Sequence, residues 1–119
     1  MTKNVVKDKS LRFAIRVVNL YQLFVSDKKE YVLSKQLLRS GTSVGAMVRE
    51  AEHAETKKDF IHKMAIAQKE INETMYWLEL LKETNYLNNK EFDSLNDDAI
   101  EIIKLLTTII KKTKTNIKH

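Results

Sequence analysis

Hydrophobic and polar positions follow the period of an α-helix in four segments of the chain. In each segment, apolar residues recur three and four positions apart, the spacing that places them on one helix face. The segments span about residues 6–25, 30–54, 57–84 and 90–115, and short polar joints separate them. Proline is absent and only 2 glycines occur, so few turns are available. The pattern predicts a single domain over residues 1–119, with an all-α, antiparallel up-down-up-down four-helix bundle as its fold.

The first segment is more apolar than the outer helix of a monomeric bundle needs to be. Its polar residues form one narrow stripe, and an outer helix needs an apolar arc of only about 100°. We therefore expect this helix either to lie centrally in the bundle or to be covered on a second side by another copy of the chain. In the second case, the predicted oligomer contact comprises Phe13, Val17, Phe24, Tyr76 and Trp77.

Tyr76 and Trp77 fall largely outside the core face of the third segment. Three interpretations are open: they fill the core, they form an apolar patch at a subunit contact, or they stack against single-stranded bases. Tyrosine and tryptophan are enriched at protein interfaces, and a stacking platform needs several aromatic residues along one groove. We favour the subunit contact, because the first segment carries surplus apolar surface as well.

A run of small residues, SGTSVGA over residues 40–46, interrupts the second segment. Glycine inside a helix costs about 1 kcal/mol relative to alanine, so we expect a compensating interaction. Gly41 and Gly45 lie four positions apart on one helix face, which favours close packing against a neighbouring helix. A phosphate-cradling loop is the alternative, but the patterns GxGxxG and GxxxxGK are both absent.

Charge is unevenly distributed along the chain. The 21 lysine and arginine residues outnumber the 16 aspartate and glutamate residues, and the formal net charge of +5 favours polyanionic partners. In the predicted bundle, the start of the first helix, the second joint and the end of the last helix meet at one end. We call this end the basic pole. Its predicted phosphate-contacting residues are Lys3, Lys7, Lys9, Arg12, Lys57, Lys58, Lys111, Lys112 and Lys114.

Two interpretations of the basic pole remain open at this point. Lysines near a helix C-terminus complement the helix dipole by about 0.3–1 kcal/mol each, which accounts for Lys111 and Lys112. The dipole does not account for the cations beside the start of the first helix, where positive charge is unfavourable. The basic pole is therefore either a solvated surface or a surface that contacts phosphates. Oligomerisation would favour phosphate binding, because it multiplies the patch.

The sequence predicts no catalytic or metal site. Cysteine is absent, which excludes thiolate nucleophiles and cysteine-ligated zinc or iron–sulfur clusters. The spacings Glu50-x-x-His53 and Asp59-x-x-His62 resemble di-iron ligand pairs, but both flank a joint, whereas such sites need inward-facing ligands in the bundle middle. No residues supply a nucleophile together with oxyanion donors. We therefore expect no enzymatic activity and no cofactor.

The N-terminal residues do not predict export from the cell. The first ten residues are polar, with no apolar stretch of the kind found in a signal peptide. No apolar run approaches the roughly 20 residues that a membrane span needs. We expect a cytoplasmic protein that does not associate with membranes.

Several stretches of the chain resemble a known protein family. They are SKQLLRSGTSVGA at 34–46, VREA at 48–51, KKDFIHKM at 57–64 and ETMYWLELL at 73–81. Together they resemble the bacterial four-helix-bundle proteins that are also called 23S rRNA intervening-sequence proteins. Met47 departs from the family, which commonly has asparagine before the Val-Arg-Glu run, so a polar role at this position is in doubt.

The resemblance implies a homopentamer of antiparallel four-helix bundles around a central channel. Some members of the family are encoded inside insertions of large-subunit ribosomal RNA genes. A related branch resembles the accessory proteins of diversity-generating retroelements, which are basic pentamers that bind RNA and a reverse transcriptase. The family brings no catalytic residues to this chain.

Two functions follow as hypotheses. The first is an oligomeric protein whose basic pole contacts nucleic-acid phosphates without reading sequence, with RNA as the expected partner. The alternative is an oligomeric scaffold or accessory protein that binds a protein partner such as a reverse transcriptase. An enzyme is a third and weaker hypothesis, which a tightly bound metal in the purified protein would revive.

Overall fold

The described residues of the computed structural model, 5–118, form a four-helix bundle. Its helices are α1 (Val5–Leu23), α2 (Leu33–Glu52), α3 (Lys57–Glu83) and α4 (Asn89–Lys118). The start of α1 lies against the end of α2, where Lys7 pairs with Glu52, so these two helices are antiparallel. The bundle is elongated, with extents of 52 × 23 × 22 Å. The predicted all-α fold is confirmed.

The joint between α1 and α2 is longer and more structured than predicted. A π-helical turn over Phe24–Lys28 continues α1, and Lys29 then adopts a left-handed conformation with φ of 55°. The carboxylate of Glu30 accepts backbone N–H groups at 3.1 Å from Val32, 3.0 Å from Leu33 and 2.7 Å from Ser34. Because Glu30 caps the second helix instead of entering it, α2 begins at Leu33.

The starts of α3 and α4 are capped by side chains that bond to backbone N–H groups three positions away in the chain. Thr56 and Asp59 are both candidate N-caps by residue type, and the structure assigns the cap to Thr56, whose hydroxyl accepts the Asp59 N–H at 3.0 Å. At the start of α4, Asn88 and Glu91 bond reciprocally: each side chain accepts the backbone N–H of the other residue. This is a capping box, and it satisfies two helix-terminal N–H groups at once.

The core receives side chains from all four helices, and it corrects part of the predicted oligomer contact. Phe13, Val17 and Phe24 are only 1%, 0% and 1% exposed within this single chain. The prediction that they contact another copy is wrong for these three residues, because they lie on the side of α1 that faces the bundle interior. The surplus apolar surface of α1 is instead at Leu11 and Ile15, which are 44% and 51% exposed.

The small-residue run of α2 packs closely against α1, as predicted. A methyl group added at Gly41 would lie 2.9 Å from Cγ2 of Val17, so a side chain at this position requires the Val17 side chain to shift. A methyl group at Gly45 would lie 3.5 Å from the carbonyl oxygen of Ser10, which is an ordinary contact. Close packing is therefore strict at Gly41 and looser at Gly45.

Candidate nucleic-acid interface

All four helices contribute to the basic pole. The start of α1, the end of α2, the start of α3 and the end of α4 line a common cleft, to which Lys7 and Lys112 both contribute. Lys57 and Lys58 lie exposed in the first turn of α3, and Lys111, Lys112 and Lys114 lie exposed near the end of α4. Lys3 lies outside the described residues. The structure thus brings most of the predicted basic residues to one end of the molecule.

Three of the predicted phosphate-contacting residues have acidic partners. Lys7 pairs with Glu52 and Lys9 with Glu101, both at 3.1 Å, and Arg12 pairs with Asp8 at 2.9 Å. These side chains are substantially exposed, so each pair contributes at most about 1 kcal/mol to stability. Each carboxylate nonetheless cancels much of the local positive potential, which makes these cations weaker ligands for phosphate than the sequence predicts.

Five lysines of the basic pole have no ion-pair partner among residues 5–118. We call them the pole lysines: Lys57, Lys58, Lys111, Lys112 and Lys114. Lys57 and Lys58 occupy the first two positions of α3, where the helix dipole disfavours a cation. Their charge therefore does not serve the stability of the helix and is available to an external anion.

An apolar cleft, which the sequence pattern does not predict, opens between the helices at the basic pole. Its volume is about 750 Å³. Apolar side chains form most of the lining: Val5, Val6, Val48, Phe60, Met64, Leu105 and Ile109. Four polar residues complete it: Lys7, Glu52, Thr108 and Lys112. We call this feature the pole cleft. It places an apolar surface beside the pole lysines.

A second surface, between α1 and α2, combines apolar and small residues. Leu11 and Ala14 of α1 line a groove of about 280 Å³ with Thr42, Gly45 and Ala46 of α2. Lys7, Ser10 and Arg49 complete the lining. The exposed Ile15 lies one turn along α1 from Leu11. Exposed Leu11 and Ile15 beside small residues of α2 form an apolar surface of the kind found at interaction sites.

Tyr76 and Trp77 are placed differently from each other. Tyr76 is 56% exposed, whereas Trp77 is partly buried and packs against the core. The two rings meet edge to face with centroids 5.0 Å apart. The indole N–H of Trp77 donates to Glu73 at 2.9 Å, so Trp77 is held in place and Tyr76 is the more accessible ring.

Arg39 of α2 links this aromatic pair to the neighbouring helix. Its guanidinium donates to Glu70 and Glu73 of α3. The hydrogen bonds from Arg39 and then from Trp77 lower the pKa of Glu73 below its ordinary value. Glu70 and Glu73 thus belong to a hydrogen-bonded network between α2 and α3.

The residues considered as metal ligands do not converge. Glu50 pairs with Lys63 at 3.2 Å, and His53 and His62 are exposed. Within residues 5–118, no group of three or more histidine, aspartate or glutamate side chains could hold a metal ion.

The helices of residues 5–118 include none that is long and apolar enough to span a bilayer.

Comparison with known proteins identifies a family and similar solved structures. The family model described as 23S rRNA-intervening sequence protein matches residues 2–108. A crystal structure of a protein of unknown function from the S23 ribosomal protein family, from Bacteroides thetaiotaomicron VPI-5482, is 60% identical with a TM-score of 0.89. The similarity covers 90% of this chain and 99% of that one. No curated protein matches.

Proposed function

The chain belongs to the 23S rRNA-intervening sequence protein family, and we propose that it is a cytoplasmic, non-enzymatic, oligomeric protein that binds RNA through its basic pole. Binding would be to phosphates and would not read sequence. The observation that carries the proposal is the set of five exposed pole lysines without acidic partners among the described residues. We propose RNA as the polyanion because the family description names ribosomal RNA.

The pole lysines predict a measurable dependence of binding on salt. Each phosphate neutralised by a lysine releases condensed counterions, with a slope of about −0.7 in log K against log salt for single strands. If all pole lysines contact phosphates, the slope is about −3.5 per subunit. Lys7, Lys9 and Arg12 contribute less, because their carboxylate partners already neutralise them.

The test replaces the five pole lysines with glutamine and measures RNA binding by fluorescence anisotropy over a range of salt concentrations. The matched control replaces five exposed lysines outside the basic pole: Lys28, Lys29, Lys35, Lys69 and Lys90. Both variants lose the same formal charge, so a difference between them reports position. We expect the pole variant to bind weakly with a shallow salt slope, and the control to stay close to wild type. Equal loss in both variants would contradict the proposal.

Oligomerisation is part of the proposal, with a homopentamer as the form that the family resemblance implies. The exposed Leu11 and Ile15 beside the small residues of α2 support a contact between copies, and the exposed ring of Tyr76 is a second candidate contact. Replacing Leu11 and Ile15 with glutamate would bury charge in such a contact. We expect light scattering to give a smaller assembly for this variant and a pentamer for wild type. A monomeric wild type would overturn this part of the proposal.

An accessory role toward a protein partner, such as a reverse transcriptase, is the second candidate function. The supporting observation is exposed apolar surface at the opposite end of the bundle, where Tyr31 is 54% and Val32 71% exposed. Large exposed apolar side chains that lie together are typical of interaction sites. Co-purification from a native host should recover a defined partner, and replacing Tyr31 and Val32 with serine should release it. Recovery that is insensitive to these substitutions would count against this surface.

A further inference from the structure

The basic pole has two chemically different parts, the pole lysines and the apolar pole cleft. The pole lysines can each bind a phosphate, but the cleft beside them is lined mainly by apolar groups and has a volume of about 750 Å³. Concave, mostly apolar pockets of several hundred cubic ångströms with few polar groups are typical of ligand sites. A ligand that binds the lysines through phosphate alone would leave this apolar surface in contact with water.

We infer that the pole cleft receives an unpaired nucleobase, so that the basic pole prefers single-stranded RNA to duplex RNA. The inference rests on the proposed function, and it names the form of RNA that this surface selects. In a duplex the base faces are stacked on one another and are not available to a protein cleft, whereas single strands can splay out their bases. Only a single strand can satisfy the lysines and the cleft together.

The lining residues match the parts of a nucleotide. Phe60 provides an aromatic ring, and stacking on aromatic side chains is the sequence-tolerant way to hold a base. Aliphatic side chains of α2 and α4, such as Val48 and Leu105, form walls around it. Lys112 joins the cleft to the rest of the pole lysines, where the phosphates next to the base would lie.

Polar groups in the lining supply partners for the edges of a base. The hydroxyl of Thr108 makes no hydrogen bond among the described residues, whereas its neighbour Thr107 accepts from Gln68 at 3.0 Å. Glu52 and Lys7, which pair with each other, also line the cleft. Such partners orient a base but do not discriminate strongly among the four RNA bases.

The test compares three ligands that all carry phosphates, but whose bases are unpaired, absent or paired. They are a short single strand of mixed sequence, an abasic ribose–phosphate strand of the same length, and a duplex. We expect the single strand to bind about tenfold more tightly than the abasic strand, which is the effect of stacking one base. The duplex should compete poorly with the single strand at equal phosphate concentration.

Two substitutions in the cleft locate the effect. Phe60→Ala removes the ring, and Thr108→Leu narrows the cleft from an exposed position of α4, adds no aromatic ring and leaves every lysine in place. Asn72→Leu, which adds the same side chain at an exposed position of α3, is the control. We expect both cleft variants to lose the preference for bases and to keep the salt-dependent binding of the abasic strand, while the control retains the preference.

The outcomes separate this inference from the proposed function. Equal binding of the abasic strand and the single strand that carries bases would overturn the inference and leave phosphate binding by the pole lysines intact. A preference for bases that survives Phe60→Ala would also overturn it, because the bases would then stack elsewhere. Failure of all three ligands to bind would overturn the proposed function, and the inference with it.

Discussion

The two ends of the bundle use charge in different ways. At one end, which we call the capped end and define by Glu30, Asn88 and Glu91, charged and polar side chains bond to backbone N–H groups at helix starts. At the basic pole, the pole lysines have no acidic partner among the described residues, and two of them stand at a helix start that disfavours cations. Charge at the capped end stabilises the fold, whereas charge at the basic pole is left available to a ligand.

Glu30 is the clearest example of charge used for stability. The side chain is only 8% exposed, and burial alone would raise the pKa of its carboxyl group. The backbone N–H groups of Leu33, Ser34 and Val32 outweigh burial and hold the pKa of Glu30 below its ordinary value. The carboxylate is therefore ionised at neutral pH and fully occupied by the start of α2.

The largest expected effect on stability comes from removing this cap. Glu30→Ala leaves three backbone N–H groups without an acceptor, all of them in partly or fully buried surroundings. We expect a loss of about 2 kcal/mol in the free energy of unfolding, the upper range for a helix cap. Urea unfolding followed by circular dichroism measures it.

Glu79→Ala is the matched control, because Glu79 is an exposed carboxylate of α3 and makes no hydrogen bond or ion pair among residues 5–118. Surface substitutions of this kind usually change stability by less than about 0.5 kcal/mol. If Glu30→Ala and Glu79→Ala have equal unfolding midpoints, the capped end does not depend on its charge and the comparison between the two ends fails.

The same cap should make the stability of the fold depend on pH. Because the pKa of Glu30 is lower in the folded chain than in the unfolded chain, the unfolded state binds more protons as the pH falls. The stabilisation is therefore complete above the unfolded pKa of about 4.3 and is lost as the pH falls through the folded value. Glu73 acts in the same direction.

A comparison with Glu30→Gln isolates the contribution of Glu30 to this dependence. Glutamine keeps one oxygen acceptor but cannot titrate. We expect wild type to be more stable than the variant at neutral pH and the difference to shrink at pH values below about 4. Urea midpoints at several pH values measure the difference. A difference that stays constant with pH would contradict the role of the carboxylate charge.

The sequence was sufficient to predict the fold because the fold depends on local patterns. The apolar period predicts the helices, and Thr56 is recognisable as an N-cap by its residue type. Glu30 was missed because glutamate is not among the preferred N-cap residues, and its capping depends on the π-helical turn that precedes it. Phe13 was assigned to the wrong surface, because periodicity shows that a helix has an apolar face but not which apolar residues face inward.

The candidate site was less predictable, because it depends on contacts between distant residues. Topology alone brings the cations of the basic pole together. The pairing of Lys7 with Glu52 joins residues 45 positions apart, so no local pattern around Lys7 indicates that its charge is neutralised. The pole cleft depends on how far the helix ends separate, which no residue pattern encodes. The aromatic residue Phe60, separated by one residue from the pair Lys57 and Lys58, is the signal that could have suggested it.

The smallest expected effect has the opposite sign from that of the cap, and it tests the comparison most directly. Lys57→Gln with Lys58→Gln removes two cations from the start of α3, where they oppose the helix dipole. We expect the free energy of unfolding to rise by about 0.3–1 kcal/mol per lysine and RNA affinity to fall. Urea unfolding and fluorescence anisotropy on the same protein measure the two quantities.

The matching substitutions at Lys111 and Lys112 separate the dipole from the charge itself. These lysines lie nearly two turns before Lys118, the last described residue of α4, and the dipole effect fades within the last turn of a helix, so glutamine there should lower RNA affinity and leave stability almost unchanged. A rise in stability at Lys57 and Lys58 and little change at Lys111 and Lys112, with weaker RNA binding in both variants, is the pattern expected of charge that serves a ligand and not the fold. If Lys57→Gln with Lys58→Gln instead lowers stability, these lysines serve the fold, and the basic pole differs from the capped end only in the sign of its charge.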